Sequence, residues 1–390
     1  MKVTKIEAIP VWFKPSNEYH ALFGSNKKKG TMVHARETWF ANIEYKENVF
    51  VKITTDEGIT GWGEACAHPV TSETQAGILS TVELFGRLIV GRNPFQIGAI
   101  HEALDNLFLQ GNNGARSAID IALYDIMGKA AGQPIYNLLG GAHQTRFGKL
   151  ATTPRSDPKR MADHARALLK RGYTAFEPKM TGHLESLDAD ADRLEAILDA
   201  VPKSCPVIAD PNQMWGTAKD TIGLLDRRFR GTGNLAIEQP VWGHDLNGLA
   251  SITQAVPQKI VADEAIQNLA TMVRIASGRY ADMVSLKLGK CGGFWKSVQM
   301  MRIAEAAGLP VRIDWTQGSH LLDTATGHLH AAVRIVGCDP GMDYQLRIED
   351  RPVKEGGVTQ DKDGWFVMPT APGLGLTIDE KLIRKLSQRR

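Results

Sequence analysis

The sequence predicts an α/β barrel preceded by a smaller α+β domain, and three observations carry that prediction. From Phe176 to Gly293 the runs FEPKMTG, VIADPNQMW, LAIEQPV, IVADEAI and VSLKLGKCGG are short apolar or β-branched stretches, each closing on a charged residue and separated by segments of helical spacing. Strands read this way when their C-terminal ends form one rim. The charged residues recur at one β/α interval: Asp210, Glu238 and Asp263 fall 28 and 25 residues apart, and Lys287 follows 24 residues later. A chain of 390 residues also exceeds one ordinary core and leaves room for a second domain beside a barrel of about 250 residues.

In chain order, VTKIEAIPVWF predicts a first strand that alternates as far as Pro10. A polar stretch from Lys14 to Gly30 follows, and its Lys27, Lys28 and Lys29 read as a solvated tip. NVFVKITTDEGITGWGEA predicts a hairpin turning at Asp56-Glu57-Gly58, with glycine supplying positive φ. Thr71 to Gly132 is helical in pattern, with Ala115, Ile119, Ala122 and Ile126 on one face. After Gly140-Gly141 strands and helices alternate, the order of a parallel sheet with crossover helices. The sequence places a strand near Gly148 to Thr152, a helix from Pro158 to Lys170, the strand ending at Lys179, and a helix through Leu184, Leu187, Ala191, Leu194 and Leu198. The strands of the rim follow, then VRIDW near Asp314 and a last strand near Met342 to Leu346. Seven or eight such units favour a barrel over an open sheet. The expected boundaries are 1–140 for the α+β domain, 141–355 for the barrel, and 356–390 for a tail that returns to the first domain.

Composition bounds the function. With 46 Lys plus Arg against 43 Asp plus Glu, the net charge of +3 is too balanced to favour nucleic acid or a membrane surface. The hydrophobic fraction of 43% and mean hydropathy of −0.21 are those of a soluble globular protein. The start, MKVTKIEAIPVWF, lacks the apolar stretch of a signal peptide or membrane span. Cys66, Cys205, Cys291 and Cys338 lie far apart and read as reduced thiols of a cytoplasmic protein.

The rim carries the chemistry. Three carboxylates on adjacent strands repel one another unless a cation lies between them, and oxygen donors suit Mg²⁺ or Mn²⁺. Asp210, Glu238 and Asp263 are therefore the expected metal ligands, although an acid after a strand is often only the cap of the next helix. Lys179 and Lys287 flank them and are expected to face each other across the metal. There they suit removal of a proton next to a carboxylate, through an enediolate. Lys287 is preferred to Lys290, which reads as solvated, because Lys287 lies within the strand. Asp314, Trp315 and Asp343 lie where the last strands meet the site and suit a substrate cation.

DEGITGWGEA, ARSAIDIALYDIMGKAAGQPIYNLLGG, ADPNQMW, IEQP, ADEAI, LKLGKCGG and PGLGL together resemble the enolase superfamily, in its muconate-lactonizing and mandelate-racemase branch. The resemblance spans nearly the whole chain. It implies a modified TIM barrel, (β/α)7β, with an α+β capping domain built from the N-terminal segment and the C-terminal tail. It implies Mg²⁺ on Asp210, Glu238 and Asp263, an acid/base pair in Lys179 and Lys287, and a small-molecule carboxylate substrate. Cap loops would close over that substrate, one of them around His20 to Thr31, and His20, Glu177 and Asn212 join the substrate-binding candidates. Family habit implies a dimer or octamer.

Two departures stand out. The family places KxK at the end of the second barrel strand, whereas this chain has Glu177-Pro178-Lys179, so a carboxylate that raises the pKa of Lys179 replaces a lysine that lowers it. GSHLLDTATGHLHAA resembles the segment in which a histidine, here His320, is a base paired to an aspartate, but Lys287 takes the aspartate's place. His320 then reads as a base, a substrate ligand or a structural helix-start residue, while His328 and His330 read as packing or surface residues. The reading that follows is a racemase or epimerase acting on an amino-acid derivative. Dehydration of a hydroxy acid or acid sugar, muconate-type cycloisomerisation, and a catalytically silent metal-binding barrel are the alternatives.

Overall fold

The computed structural model describes residues 1–17, 44–67, 73–153, 155–182, 185–314, 317–342 and 348–389. Strands β1 (Val3–Phe13), β2 (Lys46–Thr55) and β3 (Thr60–Cys66) form an antiparallel sheet in that order. The β2–β3 turn is made where expected, with Gly58 at φ +79°. Helices α1 (Gln75–Ile89), α2 (Ile97–Leu107) and α3 (Asn113–Ala131) follow. The glycines of GWGEA let α3 lie directly on β3, because a Cβ at Gly61 or Gly63 would fall 2.0 or 1.9 Å from the carbonyl oxygens of Ala122 and Ala118.

The sequence predicts one apolar face for α3, yet this helix is buried nearly all round. Its polar residues are matched to other elements. Asp120 accepts from the Phe294 and Trp295 amides at 2.5 and 3.3 Å, and Asp125 accepts from the Trp62 and Leu374 amides at 3.0 and 2.9 Å. Arg116 donates to the Leu104, Phe108 and Gly111 carbonyls and pairs with Asp105 at 2.6 Å. One helix thus joins the first sheet, the barrel and the C-terminal segment.

Among the described residues the second sheet has seven parallel strands that neighbour one another in chain order: β4 (Leu150–Thr153), β5 (Ala175–Pro178), β6 (Val207–Ala209), β7 (Leu235–Glu238), β8 (Lys259–Ala262), β9 (Met283–Lys287) and β10 (Val311–Asp314). The crossover helices are α4 (Pro158–Lys170), α5 (Leu187–Ala200), α6 (Ala218–Arg228), α7 (Leu246–Ala255), α8 (Leu269–Gly278) and α9 (Phe294–Ala307), and α10 (His320–Ala331) follows β10. The helix of Pro158–Lys170 has the predicted bounds, with Asp157 capping it and Pro158 in its first turn.

Closure comes from residues 335–340. The Val311 amide donates to Ile335, Gly337 donates back to Val311, and Leu150 donates to Pro340, so this stretch bridges the last strand to the first. The sequence puts that strand at Met342 to Leu346, and residues 343–347 lie outside the described set. The fold is a modified (β/α)7β barrel with an α+β capping domain. At the C-terminus, Val353–Gly356 pairs with Leu376–Ile378, and the helix Glu380–Leu386 packs on β1, tied by Lys52 to Glu380 at 2.7 Å. No described helix is long and apolar enough to cross a membrane.

Candidate active site

Along a barrel strand, alternate residues face the interior. That periodicity brings Glu177 with Lys179, Ser285 with Lys287, and Arg312 with Asp314 to the interior side, while Asp210, Glu238 and Asp263 arrive at the C-terminal ends of β6, β7 and just past β8. Asp210, Glu238, Asp263 and Arg312 are all fully buried, and Glu177, Lys287 and Asp314 nearly so. Lys179 is the most open of the group, with its side chain 22% exposed.

Glu177, Asp210, Glu238, Asp263 and Asp314 face Lys179, Lys287, Lys290 and Arg312. Lys179 Nζ contacts both Glu177 and Asp210. Lys287 Nζ lies 2.7 Å from Asp263 Oδ2 and 2.8 Å from Asp314 Oδ2. Lys290, expected in solvent, is buried and donates to Asp263 Oδ1 at 2.6 Å and to the Asp263 and Ser285 carbonyls at 2.6 and 3.0 Å. Arg312 forks to Glu238 and Glu177 and lies 3.0 Å from Asp314 Oδ1.

These contacts set the protonation states. Burial favours the neutral amine of Lys179, but Asp210, Glu177 and Glu238 outweigh it and raise its pKa. Lys287 is raised in the same way, burial being outweighed by Asp263 and Asp314. Burial pushes Asp263 up, yet Lys287 and Lys290 hold it well below the carboxylate range; Asp314, between Arg312 and Lys287, is brought down to about 2. Glu238 goes the other way: burial lifts it well above its ordinary value, and Arg312 only partly compensates.

The donors fit a hard divalent cation. One oxygen each from Glu177, Asp210 and Glu238 lies within 4.8 Å of the others, all three residues are buried, and the donor set is oxygen alone. Glu238 Oε1 has no hydrogen-bond partner among the described residues. The set overlaps the expected triad at Asp210 and Glu238. Its third member is Glu177, while both oxygens of Asp263 meet lysines.

The remaining candidates divide. Asn212 donates its amide and Nδ2 to Asp210 at 2.7 and 2.8 Å, so it holds a carboxylate in place. Asp314 is expected against a substrate cation, but here it is paired with two internal cations. His320 begins α10 with Nε2 2.7 Å from the Val358 carbonyl, and burial lowers its pKa. His20, Trp315 and Asp343, like Lys27 to Lys29, lie outside the described residues. Sequence reasoning missed Arg312 and also Gln239, whose side-chain oxygen accepts from the Asp263 and Ala265 amides at 3.0 Å. The signals for them were a charge within VRIDW and a polar residue after Glu238 in IEQP. Asn212, Gln213 and Gln239 all adopt positive φ at these strand ends, a strained backbone of the kind that gathers at functional sites.

A ring of buried acids and lysines on the C-terminal rim of a capped (β/α)7β barrel defines a class of proton-moving enzymes, and the comparisons agree. Residues 160–382 match the model of the enolase C-terminal domain-like family, and residues 28–140 match that of the mandelate racemase / muconate lactonizing enzyme N-terminal domain. The chain belongs to the enolase superfamily, in its mandelate racemase and muconate lactonizing enzyme branch, and is an isomerase of that group. It is 34% identical to the hydrophobic dipeptide epimerase of Enterococcus faecalis over 90% of this chain and 98% of that one. It is 30% identical to the N-succinyl-L-Arg/Lys racemase of Bacillus cereus, over 87% and 90%. The solved Bacillus cereus racemase superposes with a TM-score of 0.87 at 27% identity, covering 100% of this chain and 99% of that one. The Enterococcus epimerase complexed with Mg and the dipeptide L-Leu-L-Tyr gives 0.80 at 30% identity, covering 97% and 100%.

Proposed function

We propose that this enzyme racemises or epimerises an N-acylated amino acid or a dipeptide by moving the proton on the carbon next to the substrate carboxylate. The observation that carries this reading is the pair of interior lysines, Lys179 after β5 and Lys287 at the end of β9, with the three strands of Asp210, Glu238 and Asp263 between them. Two bases on opposite sides of a flat deprotonated carbon are what inversion requires: one takes the proton from one face, the other returns a proton to the opposite face.

Asp210 and Glu238 would hold a Mg²⁺ ion, with Asp263 as third ligand on the sequence reading. The ion supplies positive charge beside the substrate carboxylate and offsets the acids that hold the lysines protonated. Lys290 holds the Asp263 oxygen that Lys287 does not take, and Asn212 fixes Asp210. His320 has the lesser role, since its Nε2 already meets the Val358 carbonyl and ties α10 to the C-terminal segment. The similarity to a dipeptide epimerase and an N-succinyl amino-acid racemase supports this substrate class.

The test is incubation with Mg²⁺ in D₂O against N-acyl amino acids and dipeptides, read by mass spectrometry and chiral chromatography. The expected result is α-deuterium in both enantiomers or epimers from a single starting one. Loss of water with no recovered deuterated acid would replace this reading with a dehydratase.

A further inference from the structure

Glu177 is near enough to Asp210 and Glu238 to share a cation with them and, like Asp263, has a cation on each oxygen; what sets it apart is that one of those cations, Arg312, also holds Glu238. Oε1 meets Lys179 Nζ, and Oε2 meets Arg312 Nη2. Arg312 is fully buried, reaches Glu238 Oε2 with Nη1, and has Asp314 Oδ1 3.0 Å from Nη2. A planar guanidinium holds two carboxylates through a rigid fork, whereas a lysine meets them as a point charge on a flexible stem. Arg312 therefore ties Glu177 to Glu238, leaves Glu238 Oε1 without a partner among the described residues, and matches the charge that Glu177 adds to the interior.

We propose that Glu177 is not a metal ligand but a positioning residue which, anchored by Arg312, holds the Lys179 ammonium group on its side of the substrate. This rests on the two-lysine reading above. It makes Arg312, Glu177 and Lys179 a chain of three side chains across β10 and β5 that serves one of the two bases and leaves the Lys287 side to Asp263, Asp314 and Lys290.

The test compares Glu177→Gln, which leaves Arg312 paired with Glu238 and Asp314 and Lys179 paired with Asp210, with Arg312→Lys, which keeps the buried positive charge and covers failure of the first variant to fold. Glu238→Gln, Lys179→Ala and Lys287→Ala are the controls. Calorimetric titration with Mg²⁺ alone is the first readout: Glu177→Gln is expected to bind with at most about a tenfold loss, the scale of a residue outside the ligand set, while Glu238→Gln abolishes binding. Solvent exchange of each pure substrate enantiomer is the second. The enantiomer that Lys179→Ala no longer exchanges should slow about a hundredfold in kcat with little change in KM, while the one served by Lys287 proceeds nearly as before.

Abolished Mg²⁺ binding in Glu177→Gln would make it a ligand and overturn the proposal. Equal slowing of both enantiomers would reduce the pair to a structural role, and also overturn it. If the lysine controls themselves show no preference between enantiomers, the two-lysine reading falls. The positioning role falls with it, and calorimetry then decides only whether Glu177 is a ligand: near-normal binding in Glu177→Gln supports its place outside the ligand set, and abolished binding overturns it.

Discussion

Asn212 holds the Asp210 carboxylate from two sides, donating its backbone amide to one oxygen and its side-chain amide to the other. Asn212→Ala is therefore expected to weaken Mg²⁺ binding about 10- to 100-fold, measured by calorimetry. A raised KM at unchanged Mg²⁺ affinity would restore the substrate-binding role. Asp210, Glu238, Asp263, Lys179 and Lys287 were legible because each closes an apolar run, where a barrel strand offers charge at its rim. Arg312 was not. In VRIDW the alternation of apolar and charged residues suggests a strand with a solvent face, but here Val311 and Ile313 belong to the hydrophobic core and Arg312 and Asp314 are buried in the interior charge cluster. Lys290 reads as solvated for a similar reason, since the turn of helix that buries it, Leu288–Cys291, is formed only in the folded chain.

Among the elements, α3 and α10 are both joined to their neighbours through buried polar side chains. Asp120 of α3 caps the first turn of α9 and pairs with His101 Nε2 at 2.7 Å. Asp120→Ala leaves buried amides unpaired and is expected to cost about 2–3 kcal/mol, read from urea unfolding. In α10, His328 and His330 are fully buried, and burial lowers their pKa values to about 4 and about 3. The unfolded chain takes up these protons near pH 6.5, so between there and the folded values it binds more protons than the native state. Stability is then full above pH 6.5 and falls as the pH drops, by about 2 kcal/mol for each histidine on going from pH 7 to pH 5. The urea midpoint should fall over that range, and His330→Gln should flatten the decline; an unchanged slope would contradict it. Helix periodicity made α4 readable to the residue, whereas the stretch at 335–340 makes among the described residues a single strand bridge, Val311 to Val336, too little pairing to mark a run in the sequence.

At the scale of the molecule, the capping domain is fastened to the barrel next to the site. Glu64 of β3 is buried and accepts from the Ser319 amide and hydroxyl at 2.9 and 2.6 Å and from Leu322 at 3.3 Å, so a carboxylate of one domain caps α10 of the other. Asn48 donates to it at 2.6 Å. Glu64→Ala is expected to destabilise the fold by about 2–3 kcal/mol and to raise KM, since the cap loses its seat over the rim; a stable variant with normal KM would show that this contact does not join cap to site. The capped barrel itself was legible from the β/α interval, while the partners of its buried charges lie on strands distant in sequence and had no local signature. If Lys179 and Lys287 serve opposite faces of one carbon, as proposed, α-proton exchange in D₂O of each pure enantiomer by Lys179→Ala and by Lys287→Ala separates them. Each variant is expected still to exchange one enantiomer, and not the same one. Loss of the same enantiomer by both, or full exchange of both by either, would contradict it.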